Sequence, residues 1–398
     1  MIQRKCKLSR INSFFLFGPR GVGKTTLLED IFSEVDSLFI DLLNPEVFAE
    51  LVLDSFRFTA MIDSPENRGK RVIIEGVQKI PSLLDIVHSQ IQRRKRQFVL
   101  TGSSSRRLKQ KGTNLLAGRA WVYHLYPFCS ADLGERFDLR RALEWGALPD
   151  AYLALDDLSA REYLNAYVGT YLQKDIQEER WVRNIGPFRK FLAVAAQMNG
   201  RIVNKTAIAR DIGVDDVTIA NYFEILEDTL LGFFLPAFHT SVRKAQRQAP
   251  KFYLIDPGIK RALDRTLSVS LEPHTNSWGD AFEHWVILEF RKHITYARLD
   301  WDISYIRTKE DVEIDLVIDR PGEKRLLIEI KSKDRVSERD AKALETLGAS
   351  IDKDADRWLL SNDPVEQMFG GTRAVPWSRA ICDLFGESGN IGASEAEI

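Results

Sequence analysis

The chain has 398 residues, 44% of them hydrophobic, with 56 basic against 57 acidic side chains and a formal net charge of −1. That length predicts two or three domains with full apolar cores, and the balanced charge excludes a whole-chain basic field for nucleic acid, so any such surface has to be local. Cys6, Cys129 and Cys382 lie far apart and fit no metal spacing, which points to a reducing cytoplasm. The opening run MIQRKCKLSR lacks the apolar centre of a signal peptide, and the greasiest stretch, Leu230–Phe238, is too short to span a bilayer. The expectation is a soluble cytoplasmic protein with no membrane contact.

Residues 14–28 read FFLFGPRGVGKTTLL. Phe14 to Phe17 suit a buried strand, and the segment TTLLEDIF suits the helix behind it. Between them, Gly18, Pro19, Arg20, Gly21, Val22, Gly23, Lys24, Thr25 and Thr26 carry the phosphate-binding spacing Gly-x-x-x-x-Gly-Lys-Thr. Glycines let backbone N–H groups face phosphate oxygens, Lys24 supplies a point charge to the β- and γ-phosphates, and the Thr25 hydroxyl ligates Mg²⁺. ATP and Mg²⁺ are the cofactors this pattern calls for. Further strands are expected at 37–45, at 72–75 and at 97–105, the last ending in a hydroxyl cluster.

Glu75-Gly76-Val77-Gln78-Lys79-Ile80-Pro81 closes the third strand, Thr101-Gly102-Ser103-Ser104 the fourth, and Leu116-Ala117-Gly118-Arg119 precedes a Tyr126-Pro127-Phe128 strand. With the phosphate loop, these segments resemble the bacterial and archaeal AAA+-type ATPases that carry a C-terminal domain of unknown function. The resemblance covers nearly the whole chain. It implies that Lys24, Glu75, Ser103 and Arg119 are catalytic. Glu75 would join Thr25 at magnesium, Ser103 would sense the γ-phosphate, and Arg119 would reach a neighbouring subunit's nucleotide, a contribution of roughly 10³–10⁵ in rate where arginine fingers act. One position departs from the pattern. Gly76 stands where the family has its water-activating Glu, and losing a positioned base costs about 10²–10⁴ in rate. Another carboxylate, such as Asp41 at the end of the second strand, would have to compensate.

In the middle of the chain, Ser159-x-x-Glu162 reads as a capping box opening a helix through Leu164, Tyr167, Val168, Tyr171 and Ile176. Lys174-Asp175-Ile176 matches a recurrent triplet of the same family, and an interdomain helix is its plainer reading. From Ile202, a short helix ending at Gly213 and a second capped by Asp215 form a helix-turn-helix pattern, and residues 251–256 (KFYLID) supply a wing strand. The exposed face of the second helix bears Asp216, Asn221, Glu224, Glu227 and Asp228, which suit a phosphate-lined groove poorly. DNA reading and a structural or subunit-contact role therefore stand side by side. Arg243, Lys244, Arg247 and Lys251 are better phosphate partners, as are Arg93 and Arg94 with the basic run at 106–111; a solvated surface competes with each.

Near the C-terminus, a helix over Gly279–Lys292 is expected to bury Phe282, Trp285, Val286 and Phe290, with Glu283 at the border of that face. Two strands, 312–319 and 325–333, joined by Pro321-Gly322, can bring Asp315, Glu329 and Lys331 together. This resembles the restriction-endonuclease (PD-(D/E)xK) pattern, in which two carboxylates hold Mg²⁺ and the lysine positions water. Such a fold does not by itself imply cleavage.

The expected architecture is α/β: a P-loop AAA+-type ATPase core (1–130), a helical lid or connector (131–186), a winged-helix-like domain (187–266), a restriction-endonuclease-like α/β domain (267–386) and a disordered tail (387–398). The expected function is ATP-driven work on duplex or branched DNA by a homo-oligomeric ring, a hexamer by analogy. Two rivals are an ATP-gated Mg²⁺ nuclease and a non-hydrolysing nucleotide switch.

Overall fold

A computed structural model of the chain describes residues 2–104, 116, 118–171, 182, 184–239 and 248–386. Two compact units are present. One comprises Arg4–Tyr126 with Asp228–Leu231; the other comprises Met1–Gln3, Pro127–Glu227 and Gly232–Ile398.

The first unit runs β1 (Phe14–Phe17), α1 (Lys24–Ile31), β2 (Ser37–Asp41), α2 (Pro45–Leu53), α3 (Ser55–Asp63), β3 (Arg71–Glu75), α4 (Leu83–Arg94), β4 (Phe98–Gly102) and β5 (Trp121–His124). Its sheet has the order β2-β3-β4-β1-β5, with every pairing parallel. The continuous apolar runs FFLF, VII and FVL suit strands covered on both faces, as a parallel sheet requires. Phe15, Phe17, Phe58, Val72, Ile74 and Leu100 meet in one core cluster. Because β4 lies between β1 and β3, its C-terminal end opens into the gap between the loop after β1 and Glu75.

The second unit contains α5 (Leu139–Trp145), α6 (Asp157–Ala166), α7 (Ile185–Gln197), β6 (Arg201–Ile202), α8 (Lys205–Ile212), α9 (Asp216–Asp228), β7 (Gly232–Leu235), β8 (Lys251–Leu254), α10 (Pro257–Leu263) and α11 (Asn276–Ala297). Then follow β9 (Asp302–Arg307), β10 (Glu313–Asp319), β11 (Leu326–Ile330), β12 (Asp356–Ser361), β13 (Gln367–Phe369), β14 (Thr372–Pro376) and α12 (Trp377–Phe385). A three-stranded sheet, β6-β8-β7, is antiparallel with β8 at its centre, and a six-stranded mixed sheet has the order β13-β14-β12-β11-β10-β9. As expected, α11 buries Phe282, Trp285, Val286 and Phe290 completely.

Two expectations need correcting. The helix at 157 is capped by Asp156, whose carboxylate accepts the Ser159 N–H at 2.7 Å, so Ser159 and Glu162 lie inside the helix instead of forming its capping box. In a Ser159 box the Glu162 carboxylate would reach back to this amide; Asp156, at the N-cap position three residues upstream, takes it instead. The strand expected over 251–256 ends at Leu254, and Asp256 begins a helix instead. Asp215 does cap α9, accepting the Thr218 N–H at 2.6 Å. The Lys174-Asp175-Ile176 triplet and the tail from 387 lie outside the described residues.

Asp256 is fully buried. One oxygen accepts the Ile259 N–H at 3.0 Å as the cap of α10, and the other accepts the Ala147 N–H at 2.6 Å. Burial pushes its carboxyl pKa up, and these two N–H donors work against that rise. Asp256→Ala would remove the cap and orphan a buried amide together. The expected cost is about 2–4 kcal/mol, read as a lower urea midpoint by tryptophan fluorescence.

Candidate functional site

In the first unit, β1 delivers the chain into a loop that wraps through left-handed turns at Gly21 (φ 78°) and Gly23 (φ 84°) before α1. A Cβ on Gly18 would lie 2.3 Å from the Leu125 carbonyl oxygen, so only glycine fits there. The start of α1 has no side-chain cap and no acidic residue in its first turn, which leaves its N–H groups and its dipole to an anion. Lys24 Nζ donates to the Gly18 and Pro19 carbonyls at 2.8 and 2.9 Å, folded back over the loop it would share with phosphates. Arg20 and Thr26 are exposed, while Val22 is buried and anchors the loop from beneath.

Thr25 and Glu75, expected at the magnesium, are in contact: the Thr25 hydroxyl donates to Glu75 Oε1 at 2.5 Å. Such a hydroxyl and carboxylate fit a hard cation bound through oxygen and water. Asp41 lies beside Glu75 in the parallel register. Both line a cavity of about 390 Å³ with Thr25, Glu29 and Phe32. Ser103, at the end of β4, receives a long 3.5 Å contact from the amide nitrogen of buried Gln78. Arg119 is exposed on the turn before β5, where its N–H is bonded to the Leu116 carbonyl.

Sequence reasoning missed Arg4, whose guanidinium donates to the Val22 carbonyl at 2.9 Å and the Tyr126 carbonyl at 2.5 Å, bracing the loop. No pattern could have flagged it, because the contact spans 122 residues. It missed Leu43 too. Gly76 adopts φ +73°, and a Cβ there would stand 2.9 Å from Leu43 Cδ2. Glycine at this position is therefore set by the backbone turn and by Leu43, beyond the simple absence of a base. Gly76→Ala is expected to cost about 1–2 kcal/mol for the left-handed backbone, with a further clash that Leu43→Ala relieves. A thermal-denaturation double-mutant cycle measures that coupling.

Of the basic residues expected to meet phosphates, Arg93 is exposed at the end of α4 and Arg94 is paired with Asp63. Both stand in the helix's last turn, where cations also satisfy the dipole. Arg243, Lys244, Arg247 and the run at 106–111 lie outside the described residues. Lys251 is a correction. Instead of standing on an exposed basic stretch, it is 3% exposed and points into an acidic cluster.

That cluster is the second candidate site, and it lies within the second unit. The β10–β11 hairpin has the expected antiparallel register, and a bulge between Ile314 and Val317 re-aims the chain at Asp315. Asp315 Oδ2 accepts the Ile330 N–H at 2.7 Å, and Lys331 Nζ donates to Glu329 Oε1 at 2.5 Å. Tyr253 donates its hydroxyl to Glu283 at 2.7 Å, and Lys251 pairs with Glu283 at 3.5 Å and, more closely, with Glu313. Burial, then the negative charges of Glu329 and Glu283, push Asp315 well above the usual carboxylate range. Burial likewise raises Glu329, against the pull of Lys331. For Lys251, burial alone would lower the pKa, but Glu283, Glu313 and Asp315 outweigh it and raise it.

The expected Glu283, Asp315, Glu329 and Lys331 thus share one charged neighbourhood, with Lys251, Glu313 and Tyr253 added. Their arrangement does not fit a magnesium ion. The carboxylates already face ammonium groups or a backbone N–H. Among the described residues no three groups of the ligating kind are placed to hold a metal.

His284, next to Glu283 on α11, is buried with Nε2 2.6 Å from the Leu254 carbonyl oxygen, and burial lowers its pKa to about 3. In the unfolded chain the imidazole gains a proton below about pH 6.5, whereas the folded one resists it. Its stability contribution is therefore complete above that value and is lost as pH falls toward the folded pKa. Urea midpoints should drop between about pH 6.5 and pH 4, and His284→Gln should flatten the slope.

A family model described as an AAA domain matches residues 11–133. Two models described as domains of unknown function match residues 136–270 (DUF8612) and 278–379 (DUF4143). Two uncharacterized proteins, from Mycobacterium bovis and Mycobacterium tuberculosis, are each 25% identical over 320 residues, covering 79% of this chain and 69% of theirs. Among solved structures, a Signal Transduction ATPase with Numerous Domains (STAND) protein with a tetratricopeptide repeat sensor from Pyrococcus horikoshii is 12% identical, with a TM-score of 0.22. That likeness covers 73% of this chain and 47% of the other. Among the described residues no helix is long and apolar enough to cross a membrane. The loop, its Thr25–Glu75 contact and the matched model together give the chain an AAA-type ATPase domain over residues 11–133.

Proposed function

We propose that the chain is a Mg²⁺-dependent ATPase with slow turnover that works on duplex or branched DNA as a ring of identical subunits, hexameric by analogy. The observation that carries the ATPase part is the Thr25–Glu75 contact beside Lys24 and the uncapped start of α1. Thr25 and Glu75 would hold magnesium, whose charge neutralises the phosphate oxygens during transfer. Lys24 would exchange its two loop carbonyls for phosphate, and Glu75 would release the Thr25 hydroxyl.

Slow turnover follows from Gly76, which offers no proton acceptor, and its φ of +73° with Leu43 Cδ2 2.9 Å from where a Cβ would stand disfavours a larger residue there. Asp41, one strand over from Glu75, is a carboxylate placed to orient water in its stead. Taking about 10²–10⁴ from a turnover near 10 s⁻¹ leaves roughly 10⁻³–10⁻¹ s⁻¹. The exposure of Arg119 supports a role in a neighbouring subunit, and the exposure of Arg93 supports a backbone contact with nucleic acid. Gly76 equally favours a second reading, a nucleotide switch that holds ATP and signals by its bound state. The acidic cluster of the second unit, lacking a fit for metal, gives the nuclease reading no step to stand on.

ATP binding and hydrolysis by the purified chain, with and without duplex and branched DNA, test the proposal. Turnover in the stated range, stimulated by DNA and abolished by Lys24→Ala, is expected, together with an ATP-dependent hexamer by native mass spectrometry. Absence of ATP binding would sink the whole reading. ATP binding without turnover would leave only the switch, and indifference to DNA would remove the DNA-acting part.

A further inference from the structure

The second unit carries four clustered carboxylates, Glu283, Glu313, Asp315 and Glu329, two of them on strand β10. Two ammonium groups, Lys251 and Lys331, face them. We propose that this site takes a primary ammonium from its own chain, Lys251, in the place a divalent cation would occupy, so that the acidic cluster is held together without metal.

Three observations carry this. First, Lys251 is fixed from behind: its backbone sits at the centre of the three-stranded sheet, in register with Ile202 on β6 and Leu235 on β7. Second, its ammonium has three partners: ion pairs with Glu313 and, at 3.5 Å, with Glu283, and the face of Tyr305, whose ring centroid lies 5.4 Å from Nζ. Tyr305 is itself held, its hydroxyl donating to the Ala249 carbonyl at 2.7 Å and its backbone bonded to Pro236 and Phe238. Third, the site retains a deficit that a cation would meet. Glu329 Oε2 is buried without a hydrogen-bond partner, although Glu329 is only 6% exposed. A magnesium ion demands about six oxygens at near-ideal octahedral angles. An ammonium accepts the looser arrangement seen, with carboxylates at unequal distances and an aromatic face.

The inference goes beyond the nucleotide reading and does not rest on it, since every residue lies in the second unit and the test uses no nucleotide. The full chain and its Lys251→Met variant are followed by thermal denaturation, with and without roughly 1 mM Mn²⁺. Localised Fe²⁺/ascorbate cleavage, mapped by mass spectrometry, reports whether a metal sits at residues 313–331. Removing one partner of a buried ion pair should lower the Tm of Lys251→Met by roughly 10 °C. Mn²⁺ should recover at least half of that, and Fe²⁺ should cut this variant within the hairpin while sparing the wild type there.

Equal cutting in the hairpin of the wild type would overturn the proposal, because lysine and metal would then coexist. An unchanged Tm in Lys251→Met would overturn it too, as would a loss that Mn²⁺ leaves untouched. If Lys251→Met does not fold, the double variant Lys251→Met/Glu313→Gln removes one charge from each side and should fold again. Its failure to do so would mean that Lys251 acts through packing and not through charge.

Discussion

Parallel pairing is the constraint on which the nucleotide unit depends. Strands that run the same way in register must end on the same edge of the sheet, so the loop after β1, Glu75 after β3 and Ser103 after β4 emerge together. The loop, the carboxylate and the hydroxyl come from segments that span residues 18–103, and no local interaction would assemble them. What holds them is the burial of Phe15, Val72, Ile74 and Leu100, side chains that have no chemistry of their own. Once that edge exists, the Thr25–Glu75 hydrogen bond needs only the reach of two side chains.

The second unit is ruled by a different constraint, the cost of enclosing charge. Four carboxylates in one neighbourhood repel one another, and desolvation penalises the two that are buried, Asp315 and Glu329. The chain answers in three ways: it inserts Lys251, it turns Lys331 back onto Glu329, and it raises the pKa of Asp315, whose ionised form burial and the charges of Glu329 and Glu283 disfavour. Another buried carboxylate, Glu289, is likewise partnered, by Ser130, Lys292 and His293. In this unit polar groups are buried with partners drawn from distant segments, and those partnerships help to define how the segments pack.

Much of the nucleotide unit was legible in the sequence because its signals are local. The spacing Gly18…Gly23-Lys24-Thr25 and the apolar runs of β1, β3 and β4 can be read without knowing what lies across the fold. The C-terminal hairpin was legible for the same reason, since alternation and the Pro321-Gly322 turn fix its register. What could not be read were effects set by distant neighbours. Gly76 looks in sequence like a missing base, whereas the structure shows a left-handed residue pressed by Leu43. Lys251 looks like one more cation in SVRKAQRQAPK, and its burial depends on Glu283 and Glu313, which lie at least 32 residues further along the chain. At Ser159 the error was local competition: two acceptors suited the same amide, and Asp156 won.

The position of Lys251 bears on how this chain can be divided. The second and third of the matched domains meet between residues 270 and 278, so by sequence they part cleanly there. Electrically they do not. The cation that quiets the carboxylates of the later domain is carried on a strand of the earlier one. A fragment starting after residue 270 would keep the acids and Lys331 but lose Lys251, leaving Glu283 and Glu313 open to whatever cation the solvent offers. Whatever that fragment bound would describe the cut and not the intact chain. Any shuffling of the two modules between proteins must therefore carry the lysine and the acids as one inheritance.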